Sequence, residues 1–148
     1  MTLLYAGIEV RLREVILKDK PAAMLAASSK GTVPVLVQSD GTVIDESRDI
    51  MRWALNQNDP AGWLECADGD NLLVDRCDNE FKHWLDRYKY AVRFPEHDEG
   101  WYRQQGEQFL AQLEIRLSQW HYLTGASLSV VDVAIAPFVR QFASVDSP

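Results

Sequence analysis

The sequence predicts a chain in two parts, a mixed α/β part over residues 1–58 and an all-helical part over residues 59–148. Three observations carry this. Apolar residues recur at period two in Ile8–Leu17 and again at Val33, Val35 and Val37, the pattern of half-buried strands. Asn56 to Gly62 (Asn-Gln-Asn-Asp-Pro-Ala-Gly) is polar and holds both Pro and Gly, which marks a linker. Beyond it the apolar period becomes 3.6 and stays there.

Met1 to Gly7 reads as the last turns of a helix, with Leu3, Leu4 and Tyr5 apolar and Gly7 suited to the C-terminal cap. In the strand after it, Ile8, Val10 and Leu12 alternate with Glu9, Arg11 and Arg13. Pro21 opens a short helix to Ser28 with Met24 and Leu25 inward, because proline suits the first helical position. Gly31 to Leu55 then reads strand, turn, strand, helix. Asp40-Gly41 between two apolar runs is a strong hairpin signal. Ser47 falls at the N-cap of the next helix, whose Ile50, Met51, Ala54 and Leu55 form one apolar stripe with Trp53 on its flank.

In the second part Val74, Cys77, Phe81, Trp84 and Tyr88 recur at helical steps, with Leu85 beside them. A loop over 94–100 leads to a helix from Trp101 to Trp120, with Phe109, Leu110, Leu113, Leu117 and Trp120 inward. Gly125 ends the connection that follows. Ser129-Val-Val-Asp132 is a capping box with Asp in place of Glu, placed before the apolar run Val133–Phe142. Pro137 inside that run removes the bond to the carbonyl of Val133 and is expected to bend the helix.

The chain has 148 residues, enough for one domain or two small subdomains sharing a core, and no internal repeat. Its net charge is −7, which argues against a nucleic-acid or anionic-membrane surface, since both need clustered Lys and Arg. Cys66 and Cys77 match no metal or redox spacing, and Cys77 lies on the apolar stripe as a reduced core thiol. The absence of a signal peptide or long apolar run points to the cytoplasm. His83, His97 and His121 stand at no ligand spacing, so surface or structural roles suit them and no metal is expected.

Pro34 leaves two readings open. It is an ordinary edge-strand proline, or a cis Val33-Pro34 bond turns the backbone and frees Val33 to pair with an extended peptide. At this point the residues resemble a family. Thr-Val-Pro-Val, a short hairpin and Asp-Glu-Ser before an amphipathic helix are similar to the glutathione S-transferase N-terminal domain, and the Ser129–Asp132 box is similar to the one opening that family's C-terminal core helix. The resemblance spans nearly the whole chain. It implies a thioredoxin-like, glutathione-binding first subdomain, here incomplete, and a helical second one.

By that resemblance Glu46 and Ser47 hold the γ-glutamyl end of glutathione, Val33 pairs with its cysteinyl unit and Pro34 sets that geometry. The competing reading of Ser47 is simple capping. Lys20, in Lys-Pro context, meets the glycine carboxylate in similar members, or is a solvated surface charge. Ser129 and Asp132 serve folding. The family's sulfur-handling Tyr, Ser or Cys precedes the helix that Met1 enters near its end, so no catalytic residue is carried over, and Cys66 and Cys77 lie in the wrong half to replace it.

The family's first strand lies between the segments resembling Ile8–Leu17 and Val33–Val37. Unpaired buried backbone groups there would cost roughly 1–3 kcal/mol each. Either the two strands close up or another chain supplies the partner. The short run from the core helix to Pro148 adds exposed apolar surface, and both features favour a homodimer or higher self-association. Two functions follow: glutathione binding with conjugation to electrophiles, or a non-catalytic module for dimerisation or protein–protein interaction.

Overall fold

In the computed structural model, residues 1–65 and 71–145 are described, and Cys66 and Pro148 lie outside them. The chain divides into two compact units, residues 1–61 and 62–148.

The first unit starts with helix α1, Thr2–Tyr5. It ends as its glycine predicts: Gly7 has φ +70°, its N–H bonds the Leu4 carbonyl at 3.1 Å, and the Ile8 N–H bonds the Leu3 carbonyl at 2.9 Å. Those two bonds are the Schellman arrangement that satisfies a helix's last carbonyls. Helix α2, Ala22–Ala27, follows, then strands β1 (Leu36–Val37) and β2 (Val43–Ile44), then helix α3, Ser47–Gln57. β1 and β2 pair antiparallel with Leu36 opposite Ile44 and Val37 opposite Val43. The expected turn closes them. Gly41 takes φ +87°, a left-handed value cheap only for glycine, and the Asp40 carboxylate accepts the Thr42 N–H at 2.8 Å.

Ile50, Ala54 and Leu55 of α3 are buried and Met51 is half-buried, as the stripe predicts. α1 packs on α3. The Tyr5 hydroxyl donates to Asp59 Oδ1 at 3.1 Å and accepts the Ala61 N–H at 2.7 Å, and Asn58 donates to the Ala6 carbonyl at 3.1 Å.

Four expectations for this unit need correction. Residues 8–15 form no helix, turn or ladder, and the predicted strand Ile8–Leu17 is not made; an isolated bridge joins Ile16 to Asp19. Val10 is 44% exposed, Leu12 79%, Ile16 71% and Leu17 58%. Alternation marks which residues could share a face, but a strand needs a neighbour, and the one sheet among the described residues has two strands. The closing-up of Ile8–Leu17 onto Val33–Val37 therefore does not occur. The second strand is also shorter than expected, because pairing is confined to Leu36 and Val37 while Val33 stays exposed. Pro21 stands at the N-cap of α2 rather than inside it, and Leu25 is exposed where Met24 is half-buried. Six residues of α2 have little to pack against.

The second unit is helical. Helix α4, Asn71–Arg76, runs into a π-helical turn, Cys77–Phe81, and then helix α5, Lys82–Lys89. The 3.6 period thus does not hold throughout. The wider π turn shifts the inward face, so Leu85 is buried and Trp84 only half-buried. A 3₁₀ turn, Ala91–Arg93, precedes helix α6, Glu99–Leu117, whose N-cap Asp98 accepts the Trp101 N–H at 2.7 Å. α6 stops three residues before its predicted end, so Trp120 and Leu117 are exposed rather than inward. Helix α7, Val130–Ala143, continues through Pro137.

The core of this unit gathers Phe81, Leu85, Tyr88, Tyr102, Phe109, Ile135 and Phe142 with their neighbours. Phe81 stacks on Phe109 at 4.9 Å and meets Phe142 at 5.4 Å between centroids. Such ring pairs add to the stabilisation given by burial alone. Cys77 is buried and free, and burial pushes its thiol up to about 12. A thiol held protonated in this way is structural, not a nucleophile.

Candidate functional site

The junction of β2 and α3 holds two of the candidate residues, Glu46 and Ser47. Glu46 occupies the N-cap of α3 and Ser47 its first helical position, one place later than expected. Neither side chain caps the helix, and both residues are exposed. Ile50 N–H makes the first helical bond, to the Glu46 carbonyl at 3.0 Å. The amides before it belong to the part of a helix that cannot pair internally and that attracts anions.

The segment between α2 and β1 folds back onto this junction. Ser28, which is buried, donates its hydroxyl to Asp45 Oδ2 at 2.6 Å. Lys30 Nζ reaches Asp45 Oδ1 at 3.1 Å and Glu46 Oε1 at 2.6 Å. The Glu46 and Asp45 carboxylates hold the Lys30 ammonium above its ordinary range. The Ser28 hydroxyl and then the Lys30 ammonium hold the Asp45 carboxyl below its own. The sequence does not mark Ser28 or Lys30, and Asp45 stands out only as part of the Asp-Glu-Ser run. Nothing in their spacing distinguishes them, since the contact spans 15 to 17 positions and arises only when the chain folds back.

Val33-Pro34 is a cis peptide, the second of the two readings of Pro34, and both residues are exposed. Lys20 lies against Gly31: a Cβ added there would stand 3.4 Å from Lys20 Nζ. Glu46 thus meets Lys30 at one end of the segment that leads to Val33, and Lys20 lies near that segment at Gly31. A hollow lined by Leu4, Gly7, Ile8, Glu9 and Val10 shares none of these residues.

In the second unit the start of α7 is built as a capping box. Asp132 Oδ2 accepts from the Ser129 N–H at 3.0 Å and the Ser129 hydroxyl at 2.6 Å, while Oδ1 accepts the Leu123 N–H at 2.8 Å. Ser129 is fully buried. The Val130 N–H bonds the Trp63 carbonyl at 3.1 Å. The Asp132 carboxylate and the Ser129 hydroxyl are thus both engaged in holding the chain.

The histidines take surface roles. His97 stacks on Trp101 at 3.8 Å, and His83 meets the edge of Trp84 at 4.6 Å. Among the described residues no group of three His, Cys, Asp or Glu side chains could hold a metal ion, and no helix is long and apolar enough to cross a membrane.

Residues 1–62 match the profile of the glutathione S-transferase N-terminal domain, and residues 82–148 match that of the glutathione S-transferase C-terminal domain. No curated protein matches the chain. Solved structures share the fold. One is a glutathione S-transferase from Pseudomonas fluorescens, 18% identical with a TM-score of 0.79 over 99% of this chain and 78% of that one. Another, of class Gtt2 from Vibrio parahaemolyticus, is 23% identical with a TM-score of 0.73 over 97% of this chain and 74% of that one. A third, glutathione S-transferase-I bound with lactoylglutathione, is 22% identical with a TM-score of 0.74 over 97% and 78%. With a thioredoxin-like first domain carrying a small sheet, a helical second domain and both domain profiles matched, the chain belongs to the glutathione S-transferase family.

Proposed function

We propose that this chain binds glutathione at the β2–α3 junction, as the ligand or co-substrate of a conjugation to electrophiles. The observation that supports the reading is the placement of Glu46 and Ser47, exposed and uncapped, on the first turn of α3 in the domain that matches the family's N-terminal profile. The γ-glutamyl end of glutathione carries an ammonium and a carboxylate. The carboxylate fits the Ser47 hydroxyl and the α3 amides. The ammonium fits Glu46, where it competes with Lys30 for the same oxygen. Val33, beside Pro34, offers its backbone to the cysteinyl unit, and Lys20 is suited to the glycine carboxylate. The site needs no metal, and a cytoplasmic location belongs to the same reading.

No side chain is assigned to the sulfur, so binding and turnover are separate questions. The direct test is retention of the chain on immobilised glutathione with elution by the free tripeptide. Glu46→Gln should weaken binding about tenfold or more, since one charge-assisted contact is lost. Retention unchanged by Glu46→Gln and Ser47→Ala would sink the site. Transfer of glutathione to a generic electrophile, against a family member known to conjugate it, tests conjugation.

A second reading is a non-catalytic module for self-association. It is favoured by the exposed apolar residues of 8–17, which have no ladder partner among the described residues.

A further inference from the structure

Resting on the reading of Glu46 and Ser47 as the γ-glutamyl end of a glutathione site, we propose that Lys30 sets how strongly this site selects the α-ammonium of its ligand. It does so by holding the Glu46 oxygen that the ligand's ammonium must take.

Lys30 is placed by a chain of contacts that starts in the interior. The hydroxyl of Ser28, a residue 3% exposed, donates to Asp45 Oδ2 at 2.6 Å. Asp45 Oδ1 accepts from Lys30 Nζ at 3.1 Å, and the same nitrogen donates to Glu46 Oε1 at 2.6 Å. One ammonium is thus shared by two carboxylates, and the shorter contact is to Glu46. The Lys30 and Glu46 side chains are 49% and 58% exposed, so a ligand in solvent can reach the contact. Exchange is local. When a ligand ammonium takes Glu46, Lys30 keeps Asp45 and no charge is stranded. A ligand without an ammonium leaves the Lys30–Glu46 pair in place, and its carboxylate meets a Glu46 already neutralised. Lys30 therefore penalises the ligand that carries the ammonium and spares the one that lacks it. That narrows the preference Glu46 confers. An exposed pair of this kind is worth up to about a fivefold change in an equilibrium constant.

Isothermal titration calorimetry of the whole chain tests this with two peptides. One is glutathione, the other glutaryl-cysteinylglycine, the same tripeptide without the α-ammonium. The readout is the ratio of their dissociation constants. Lys30→Met should tighten glutathione about three- to fivefold, leave the other peptide no tighter, and widen the ratio by at least that factor. Lys30→Arg keeps the charge and should keep the wild-type ratio. With Glu46→Gln already in place, Lys30→Met should no longer widen the ratio, because the contested charge is gone. A wild type that binds glutathione only once Lys30 is replaced by Met supports the same competition. A ratio unmoved by Lys30→Met, or moved equally in the Glu46→Gln background, overturns the role of Lys30, while the site stands on its own Glu46→Gln test. Equal weakening of both peptides makes Lys30 a ligand of the carboxylate and overturns the competition as well. Binding of neither peptide, by wild type or by Lys30→Met, overturns the glutathione reading and this role together.

Discussion

Two helix starts in this molecule carry a hydroxyl and a carboxylate within a few residues, and they are used in opposite ways. At α7, Asp132 turns back to the Ser129 N–H and hydroxyl and to the Leu123 N–H, with Ser129 fully buried. At α3, Glu46 and Ser47 face outward and neither caps the helix. The difference is position. Asp132, three places after Ser129, reaches back to the N-cap amide, whereas Glu46 stands at the N-cap itself and its carboxylate is turned to Lys30. A helix end whose groups are satisfied by its own chain is a fold element. One left open is where a ligand can be held.

The comparison can be broken by experiment. The largest effect is expected at α7. Asp132→Ala strands the Leu123 and Ser129 amides and should lower unfolding free energy by about 2–4 kcal/mol in urea melts. Ser47→Ala should change the same melt by less than about 0.5 kcal/mol, as exposed substitutions do. Its effect should appear instead on glutathione retention. Equal costs at the two sites would mean the α3 start is also structural. The smallest effect is a pH dependence. The Asp45 carboxyl is held below its ordinary 3.8 by Ser28 and Lys30, so its folded form binds protons later than its unfolded form. That contribution is complete above about pH 4 and is lost as pH falls further. Urea midpoints of wild type and Asp45→Asn should therefore differ at neutral pH and converge on acidification. Curves that stay parallel would remove Asp45 from the network.

Local chemistry made much of this legible. Gly7 and Gly41 mark their turns because left-handed backbone is cheap only there. The stripes of α3 and α6 are written in residue spacing, as is the Ser129–Asp132 box. The π turn at Cys77–Phe81 was not legible, since the same apolar residues suit an unbroken α-helix. Nor was the strand-like segment Ile8–Leu17, whose pattern is satisfied only if a neighbour arrives. Trp120 reads as core by composition and is 55% exposed, because α6 ends before it.

The sequence by itself determined the two-part architecture, the hairpin, the stripe of α3 and the capping box of α7, because each depends on residues within a few positions of one another. Only the tertiary structure decided that Lys30 would meet Glu46, that Ser28 would hold Asp45, and that Ile8–Leu17 would form no strand. Those outcomes depend on which distant segments come together. Such encounters are governed by burial and loop closure across the whole chain, which no local pattern records.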